Sequence, residues 1–356
     1  MDFLATNEKA VLQGRTLVAD DVCYLVYSGS SVSFTFTGKR AEAVIVSDSP
    51  KWDEKLKGWI AVYVNDEAEP EKRICLNHEK EKYLLYENKK EETVTIRIEK
   101  YSEAAFGCCG ICSIHVDADY LEKTTDNRTR KIEIIGDSIT CGYGVEAKNE
   151  LQSFDTTEEN PEKSYSMRVI RDLEAKGHLV SWSGIGILSN WVPEDVNEPL
   201  DDWLMPMLYQ YTAADMSKRL FGEDTEKWEK WDFSKFVPDI IVINIGTNDA
   251  SYCRDVQERK NAFAQKYEAF VDYVAQKNPT SHIFCMLGTM DQRLCSQVEK
   301  VVEIEKKNGL EGRIHYLQLP MQEDKDGKGA NFHPNAITHE KTQKIVSSEI
   351  RKIMNW

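Results

Sequence analysis

The sequence has 356 residues, of which 41% are apolar and 29% are charged, and its formal net charge is −15. This length exceeds the usual size of one domain, so we predict two domains, each with its own core. The negative charge disfavours nucleic acids and anionic membranes as partners, because both require a basic surface, and no apolar run is long enough to span a bilayer.

The N-terminal residues and the cysteines bear on the compartment. Residues 1–8 show no basic segment followed by an apolar stretch, so no secretory signal is predicted and a cytoplasmic location is expected. The nine cysteines, an odd number, suit a reducing compartment. Cys108, Cys109 and Cys112 form a cluster, but no second ligand pair follows at zinc spacing, so we expect no metal.

The first third of the chain alternates apolar and polar residues with a period of two. This pattern covers residues 32–36, 60–64 and 94–98, and the second of these runs ends at a predicted turn formed by Asn65 and Asp66. Short strands separated by polar turns predict an antiparallel β-sandwich, a jelly roll, over residues 1–120. Residues 121–130 are polar and are predicted to be a linker.

After residue 130 the pattern changes to short apolar runs that alternate with helical spacing. We predict strands at residues 132–135, 179–182, 240–245, 283–287 and 314–317, and a final helix from about residue 336 to 354. This alternation predicts a three-layer α/β/α domain over residues 131–356, with a five-stranded parallel sheet. In such sheets the chemistry lies beyond the carboxyl ends of the strands.

Ser138 lies at such an edge, in the segment Gly136-Asp137-Ser138-Ile139-Thr140. A serine here can act as a nucleophile with its backbone N–H facing an oxyanion. It can equally be the N-cap of a helix, and the segment by itself favours neither interpretation. Asp137 is expected to fix the turn through local hydrogen bonds.

Two further residues follow buried strands and suit an oxyanion hole. Asn248, in Gly246-Thr247-Asn248-Asp249, can donate from a neutral amide, although taken alone a turn residue is the better interpretation. Gly184 can present its backbone N–H to the same oxyanion, or can be required for close packing of the backbone. The sequence leaves these two alternatives for Gly184 open.

His333 is the candidate general base. Pro334 biases it towards an extended backbone, and the last helix begins directly afterwards. A histidine on a loop at a helix start is well placed to reach a serine at the edge of the sheet. The nearest competitor, His339, is expected to lie in the first turns of that helix and to be structural.

Taken together, these four blocks resemble those of the SGNH (GDSL-type) hydrolases, and the wider match resembles carbohydrate esterase family two. Supporting segments are Cys141-Gly142-Tyr143-Gly144, Ser164-Tyr165-Ser166, Met205-Pro206-Met207-Leu208-Tyr209, Trp231-Asp232-Phe233-Ser234 and Thr338-His339-Glu340-Lys341. The resemblance, which includes an N-terminal jelly roll, covers nearly the whole chain.

The resemblance implies an O-acetyl esterase that acts on plant polysaccharides or their oligosaccharides, such as acetylated xylan or mannan fragments, with no metal or organic cofactor. Ser138 and His333 would be catalytic. The backbone N–H groups of Ser138 and Gly184 and the amide of Asn248 would form the oxyanion hole. The alternatives are a lipid esterase or thioesterase of the SGNH type and a catalytically inactive carbohydrate-binding protein.

The sequence departs from many SGNH hydrolases beside the histidine. They place an aspartate three residues before it, and here that residue is Ala330. We therefore favour a Ser–His dyad in which a backbone carbonyl orients His333, and Asn331, Asp324 and Asp326 are the side-chain alternatives.

An aromatic segment between the second and third strands of the parallel sheet provides candidate sugar contacts. Tyr209 and Trp191 lie in this segment, and Phe332 lies next to His333. These three rings are predicted to bind substrate. Trp228 and Trp231 are expected to pack the segment onto the protein instead.

Overall fold

The computed structural model describes residues 1–65 and 67–356, so Asp66, half of a predicted turn, lies outside the described residues. The chain forms two compact units. The first comprises Met1–Arg128, Asp155–Glu159 and Thr212–Glu229, and the second comprises Thr129–Phe154, Asn160–Tyr211 and Lys230–Trp356. Nothing in the residue pattern indicated that the segments Asp155–Glu159 and Thr212–Glu229 belong to the first unit.

The elements of the described chain are fourteen strands and eight α-helices. The strands are β1 (Asp2–Phe3), β2 (Val11–Gln13), β3 (Thr16–Ala19), β4 (Val22–Leu25), β5 (Ser31–Val46), β6 (Trp59–Val64), β7 (Lys72–Cys75), β8 (Lys80–Lys100), β9 (Cys109–Val116), β10 (Arg130–Gly136), β11 (Ala175–Ser181), β12 (Ile240–Asn244), β13 (His282–Leu287) and β14 (Ile314–Gln318). The helices are α1 (Ser138–Cys141), α2 (Tyr165–Asp172), α3 (Met205–Leu208), α4 (Ala214–Phe221), α5 (Thr247–Cys253), α6 (Gln257–Lys277), α7 (Cys295–Glu305) and α8 (Ala336–Met354).

The first unit is built on one antiparallel sheet whose central path is β3-β4-β9-β5-β8-β6-β7. The long strand β5 pairs with β8 along its length, while its other edge pairs first with β2 and then with β9. Alternate residues such as Val32, Phe34 and Phe36 are fully buried, which is the period-two pattern of a sheet with one face on a core. The predicted antiparallel fold is confirmed.

The second unit contains the predicted five-stranded parallel sheet, in the order β11-β10-β12-β13-β14. Helices α2 and α8 pack on one face, where Ile170 and Val346 join the strand residues Ile134 and Val242 in one core. The strands are nearly continuous runs of buried apolar residues because both faces of the sheet are covered.

The order of the strands shows where the chain connections in this sheet reverse direction. From β10 the chain passes first to β11 on one side and then to β12 on the other, so the connections diverge at β10. A crevice forms beyond the carboxyl end of a strand where this reversal occurs. Ser138 is the second residue after β10. In the part of the chain that the structure describes, no helix is both long and apolar enough to cross a membrane.

Candidate active site

Ser138 is the first residue of α1, but it is not the cap of that helix. The N-cap is Asp137, whose carboxylate accepts a hydrogen bond from the N–H of Ile139 at 3.0 Å. Because Asp137 provides the cap, the Ser138 hydroxyl is available for another partner. The sequence left open that Ser138 is the N-cap of a helix; the structure shows that Asp137 is the N-cap instead.

The Ser138 hydroxyl faces His333. Its Oγ lies 2.8 Å from Nε2 of the imidazole, and the other ring nitrogen, Nδ1, lies 3.2 Å from the carbonyl oxygens of Ala330 and Asn331. A carbonyl can only accept a hydrogen bond, so Nδ1 carries the proton and donates it. Nε2 is then an acceptor for the Ser138 hydroxyl, which is the protonation state that a general base requires. With both nitrogens engaged in this way, neither is open to a metal.

The surroundings of His333 keep the ring neutral. Burial lowers its pKa to about 4, against the opposing effect of the hydrogen bonds to the carbonyls of Asn331 and Ala330, which favour the protonated ring. The imidazole is therefore unprotonated at neutral pH. It is ready to accept the serine proton without first losing one of its own.

This pKa predicts the pH dependence of any reaction that uses His333 as its base. Protonation of His333 removes the acceptor, so kcat/KM should be at its plateau near pH 6 and should fall as the pH drops through about 4. The measurement is kcat/KM for a soluble acetyl ester between pH 3.5 and 8, in buffers of constant ionic strength. An acidic limb centred near 6.5, the ordinary value for histidine, would contradict the burial argument.

Neither candidate carboxylate, Asp324 or Asp326, replaces the aspartate that is missing at residue 330. Asp324 accepts a hydrogen bond from Lys328 at 2.6 Å, and Asp326 accepts one from Lys341 at 2.5 Å. Ala330 is fully buried, and a Cβ added to Gly144 would lie 2.5 Å from the Cβ of Ala330. Ala330 is therefore in close contact with Gly144.

Gly184 lies on the loop after β11, and Asn248 is the second residue of α5, which follows β12; β11 and β12 flank β10. The register aligns Gly136 with Ser181 of β11 and with Asn244 of β12, so the three loops begin at the same level of the sheet. Gly184 has φ +76°, and a Cβ there would meet nothing within 4 Å. Close packing is therefore not the reason for glycine at this position, whereas the left-handed backbone is.

Asn248 is held in place by the loop that carries Gly184. Its Nδ2 donates to the carbonyl of Ile185 at 2.8 Å, and the side chain is buried. An amide nitrogen has two N–H groups, and one of them is committed to Ile185. The roles of Gly184 and Asn248 as oxyanion donors stay predictions.

Asp249 is a part of the site that sequence reasoning missed. Its buried carboxylate accepts hydrogen bonds from the N–H groups of Ile187, Leu188 and Ser189 at 3.0, 2.7 and 3.0 Å. These bonds bind the loop after β11 to the start of α5, although burial raises the pKa of Asp249 to about 6. Its position directly after Asn248 was the only signal in the sequence.

Replacing Asp249 by asparagine should loosen this loop. All three N–H groups point at one carboxylate oxygen, Oδ1, and the N–H of Ile187 also approaches Oδ2 at 3.1 Å. The amide removes the negative charge of this acceptor and places an NH₂ group on the Oδ2 side, so hydrogen bonds to a charged group, each contributing about 1.5–3 kcal/mol, are weakened. We expect a lower Tm together with a lower kcat, because Asn248 depends on the Ile185 carbonyl. Thermal unfolding and kcat measured on the same samples test this. Asp291→Asn, which changes an exposed ion pair with Arg293, is the control and should leave both values near those of the wild type.

The three aromatic residues predicted to contact substrate differ in how exposed their side chains are. Tyr209 is fully buried, its hydroxyl donates to the buried carboxylate of Glu133 at 2.6 Å, and its ring packs against Phe270. A ring without exposed surface cannot stack on a sugar, so the prediction for Tyr209 is wrong, and the residue satisfies a buried acid instead. Trp191 and Phe332 are 57% and 50% exposed, so they stay predicted contacts.

The backbone ties both exposed rings to the site. The N–H of Trp191 donates to the carbonyl of Gly184 at 2.9 Å, and Phe332 directly precedes His333. Trp228 and Trp231 are buried, as expected.

A family model decides how these residues should be classified. The model described as the GDSL-like lipase/acylhydrolase family matches residues 134–341, which contain Ser138, Gly184, Asn248 and His333. The chain belongs to this family. A second model, described as carbohydrate esterase 2 N-terminal, matches residues 12–140. The resemblance to GDSL-type hydrolases and to carbohydrate esterase family two is thereby confirmed, and with it the class of carboxylic ester hydrolase.

Two curated proteins and one solved structure to which this chain is similar are named as esterases or deacetylases. Cellulase/esterase CelE of Acetivibrio thermocellus is 29% identical over 335 residues, which cover 93% of this chain but only 38% of CelE. An acetylxylan esterase / glucomannan deacetylase of Cellvibrio japonicus is 24% identical to this chain over 355 residues. The aligned region covers 99% of this chain and 91% of that protein. A family two carbohydrate esterase from Clostridium thermocellum, solved in complex with cellohexaose, is 29% identical with a TM-score of 0.84, over 98% of this chain and 99% of that chain.

Proposed function

We propose that this protein is a serine esterase that removes O-acetyl groups from oligosaccharides derived from plant polysaccharides, with acetylated xylan or mannan fragments as substrates. The observation that carries the proposal is the 2.8 Å contact between Ser138 Oγ and His333 Nε2, with the Nδ1 proton directed to backbone carbonyls. The acetylxylan esterase / glucomannan deacetylase and the structure with cellohexaose support a carbohydrate substrate.

The reaction proceeds in two acyl-transfer steps. Ser138 Oγ attacks the acetyl carbonyl carbon while its proton passes to His333 Nε2, and the resulting oxyanion is held by the N–H groups of Ser138 and Gly184 and by the Asn248 amide. The C–O bond to the sugar breaks, and the sugar oxygen takes the proton from His333. Water then attacks the acetyl-serine with His333 as base, which releases acetate and restores the Ser138 hydroxyl.

The experiment that tests the proposal is acetate release from acetylated xylo- and manno-oligosaccharides by the wild type and by Ser138→Ala. We expect release by the wild type only. A panel of acyl esters tests the lipid esterase and thioesterase alternatives, and a preference for octanoyl over acetyl would contradict the proposal. Binding of cellohexaose without acetate release at high enzyme concentration would instead indicate an inactive carbohydrate-binding protein.

The Ser–His dyad is part of the proposal and has its own prediction. Asp324→Asn and Asp326→Asn should each keep kcat within about threefold of the wild type, because both carboxylates face lysines and not His333. Loss of the orienting acid from a true triad costs about 10⁴ in kcat. Steady-state kinetics of both variants decide the question, and a loss in either that matches Ser138→Ala would make that residue the third member of a triad.

A further inference from the structure

The imidazole ring of His333 lies against the face of Tyr143, a residue outside the predicted site. The two ring centroids are 4.3 Å apart and the ring planes are inclined by 37°. On its other side Tyr143 stacks on the buried ring of Phe154, with the centroids 3.7 Å apart and the planes nearly parallel at 10°. Phe154 therefore fixes the plane that Tyr143 presents to the histidine.

Tyr143 also contacts the segment that orients His333. Its hydroxyl oxygen accepts a hydrogen bond from Nδ2 of Asn331 at 2.9 Å. Asn331 has a left-handed backbone, with φ 49° and ψ 42°, a conformation that asparagine tolerates better than most residues. In that conformation the Asn331 carbonyl, together with that of Ala330, faces Nδ1 of His333.

The proposed reaction places a positive charge on the His333 ring. When His333 accepts the serine proton it becomes an imidazolium, and a triad aspartate would stabilise that positive charge. Here two neutral carbonyls occupy the Nδ1 side. The face of an aromatic ring carries negative electrostatic potential and attracts a cation within about 6 Å of its centroid.

Building on the proposed function, we propose that Tyr143 takes over the electrostatic part of the missing acid: its ring face stabilises the imidazolium form of His333, while its hydroxyl holds Asn331 in the conformation that directs the Nδ1 proton. Tyr143 thus acts through His333 and is a positioning residue rather than a catalytic one. The neutral resting state of His333 fits this division, because the attraction arises only when the charge appears.

Graded fluorination of the ring tests the electrostatic role, since fluorine withdraws charge from the ring face with little change in shape. Tyr143→Phe is the starting variant, and mono-, di- and trifluorophenylalanine are then introduced at residue 143. We expect kcat for an acetyl ester to fall stepwise by about 5- to 10-fold along the series, with KM unchanged. The same series at Phe36, a buried ring of β5 whose ring contacts are Phe34 and Tyr86, is the matched control and should give no trend.

A second measurement separates this inference from the proposed function. The pKa of His333, followed by NMR of the imidazole, should fall along the series at residue 143 by about 0.7–1 pH unit, the same 5- to 10-fold change. This readout does not require turnover. If the wild type releases no acetate while the His333 pKa follows fluorination, the proposed function fails and the role of Tyr143 stands. A flat series in both kcat and the His333 pKa, or an equal trend at Phe36, would overturn the inference.

Discussion

Ser138→Ala should lower kcat for acetate release by about 10⁴- to 10⁶-fold, because removal of the nucleophile from a serine hydrolase leaves only binding and oxyanion stabilisation. The Ser138 side chain makes its hydrogen bond to His333, and one such bond contributes only about 1 kcal/mol to stability. The variant should therefore fold with nearly the Tm of the wild type. Acetate release followed over hours at high enzyme concentration gives the residual rate.

The matched control for this variant is Ser296→Ala. Ser296 lies in α7 and its hydroxyl donates to the side chain of its neighbour Gln297, so the same atom is removed away from the candidate site. It should keep the kcat of the wild type. If Ser138→Ala were as active as Ser296→Ala, acyl transfer to Ser138 could not be the mechanism.

His333→Ala is expected to cause a loss of kcat of about the same size, 10⁴-fold or more, because nucleophile and base act as one unit and their effects are not additive. The double variant Ser138→Ala/His333→Ala should accordingly be no less active than either single variant. Residual kcat values for the three proteins, with KM for each, test this coupling. A double variant far below both single variants would show that the two residues act independently.

His339 provides the contrast for the second prediction. Its Nδ1 accepts a hydrogen bond from the backbone N–H of Tyr165 at 3.1 Å, and the residue is buried in the first turns of α8. His339→Gln should lower Tm, since it disturbs a buried contact, and should affect kcat of the folded fraction far less than His333→Ala does. Equal losses of kcat in the two variants would contradict the assignment of His333 as the base.

The sequence predicted most of the fold because the strands are short apolar runs bounded by polar turns. The last helix was expected from about residue 336 to 354 and is observed at Ala336–Met354, where Asn335 caps its start. The predicted strand at residues 179–182 begins earlier, at Ala175. Its first residues, Ala175-Lys176-Gly177, carry no strand pattern of their own, and pairing with β10 brings them into the sheet.

The sequence failed where a side chain's surroundings come from distant parts of the chain. Tyr209 was expected at the substrate, yet Glu133, a residue of β10, needs a partner in the interior, and Tyr209 supplies it. A buried acid without a hydrogen bond would be costly. Local sequence cannot show which aromatic residue meets that demand, because Glu133 and Tyr209 are far apart in the chain.

By itself the sequence determined the two kinds of sheet, the strand ends that carry Ser138, Gly184 and Asn248, and the position of His333 before the last helix. These features are local, because periodicity, turn residues and proline act over a few neighbouring residues. Only the tertiary structure decided that Asp137 rather than Ser138 caps α1, that the Nδ1 proton of His333 meets the carbonyls of Ala330 and Asn331, and that Tyr143 lies against the imidazole. Hydrogen-bond direction and ring contact depend on the three-dimensional placement of groups up to about two hundred residues apart, and a one-dimensional pattern carries no record of that placement.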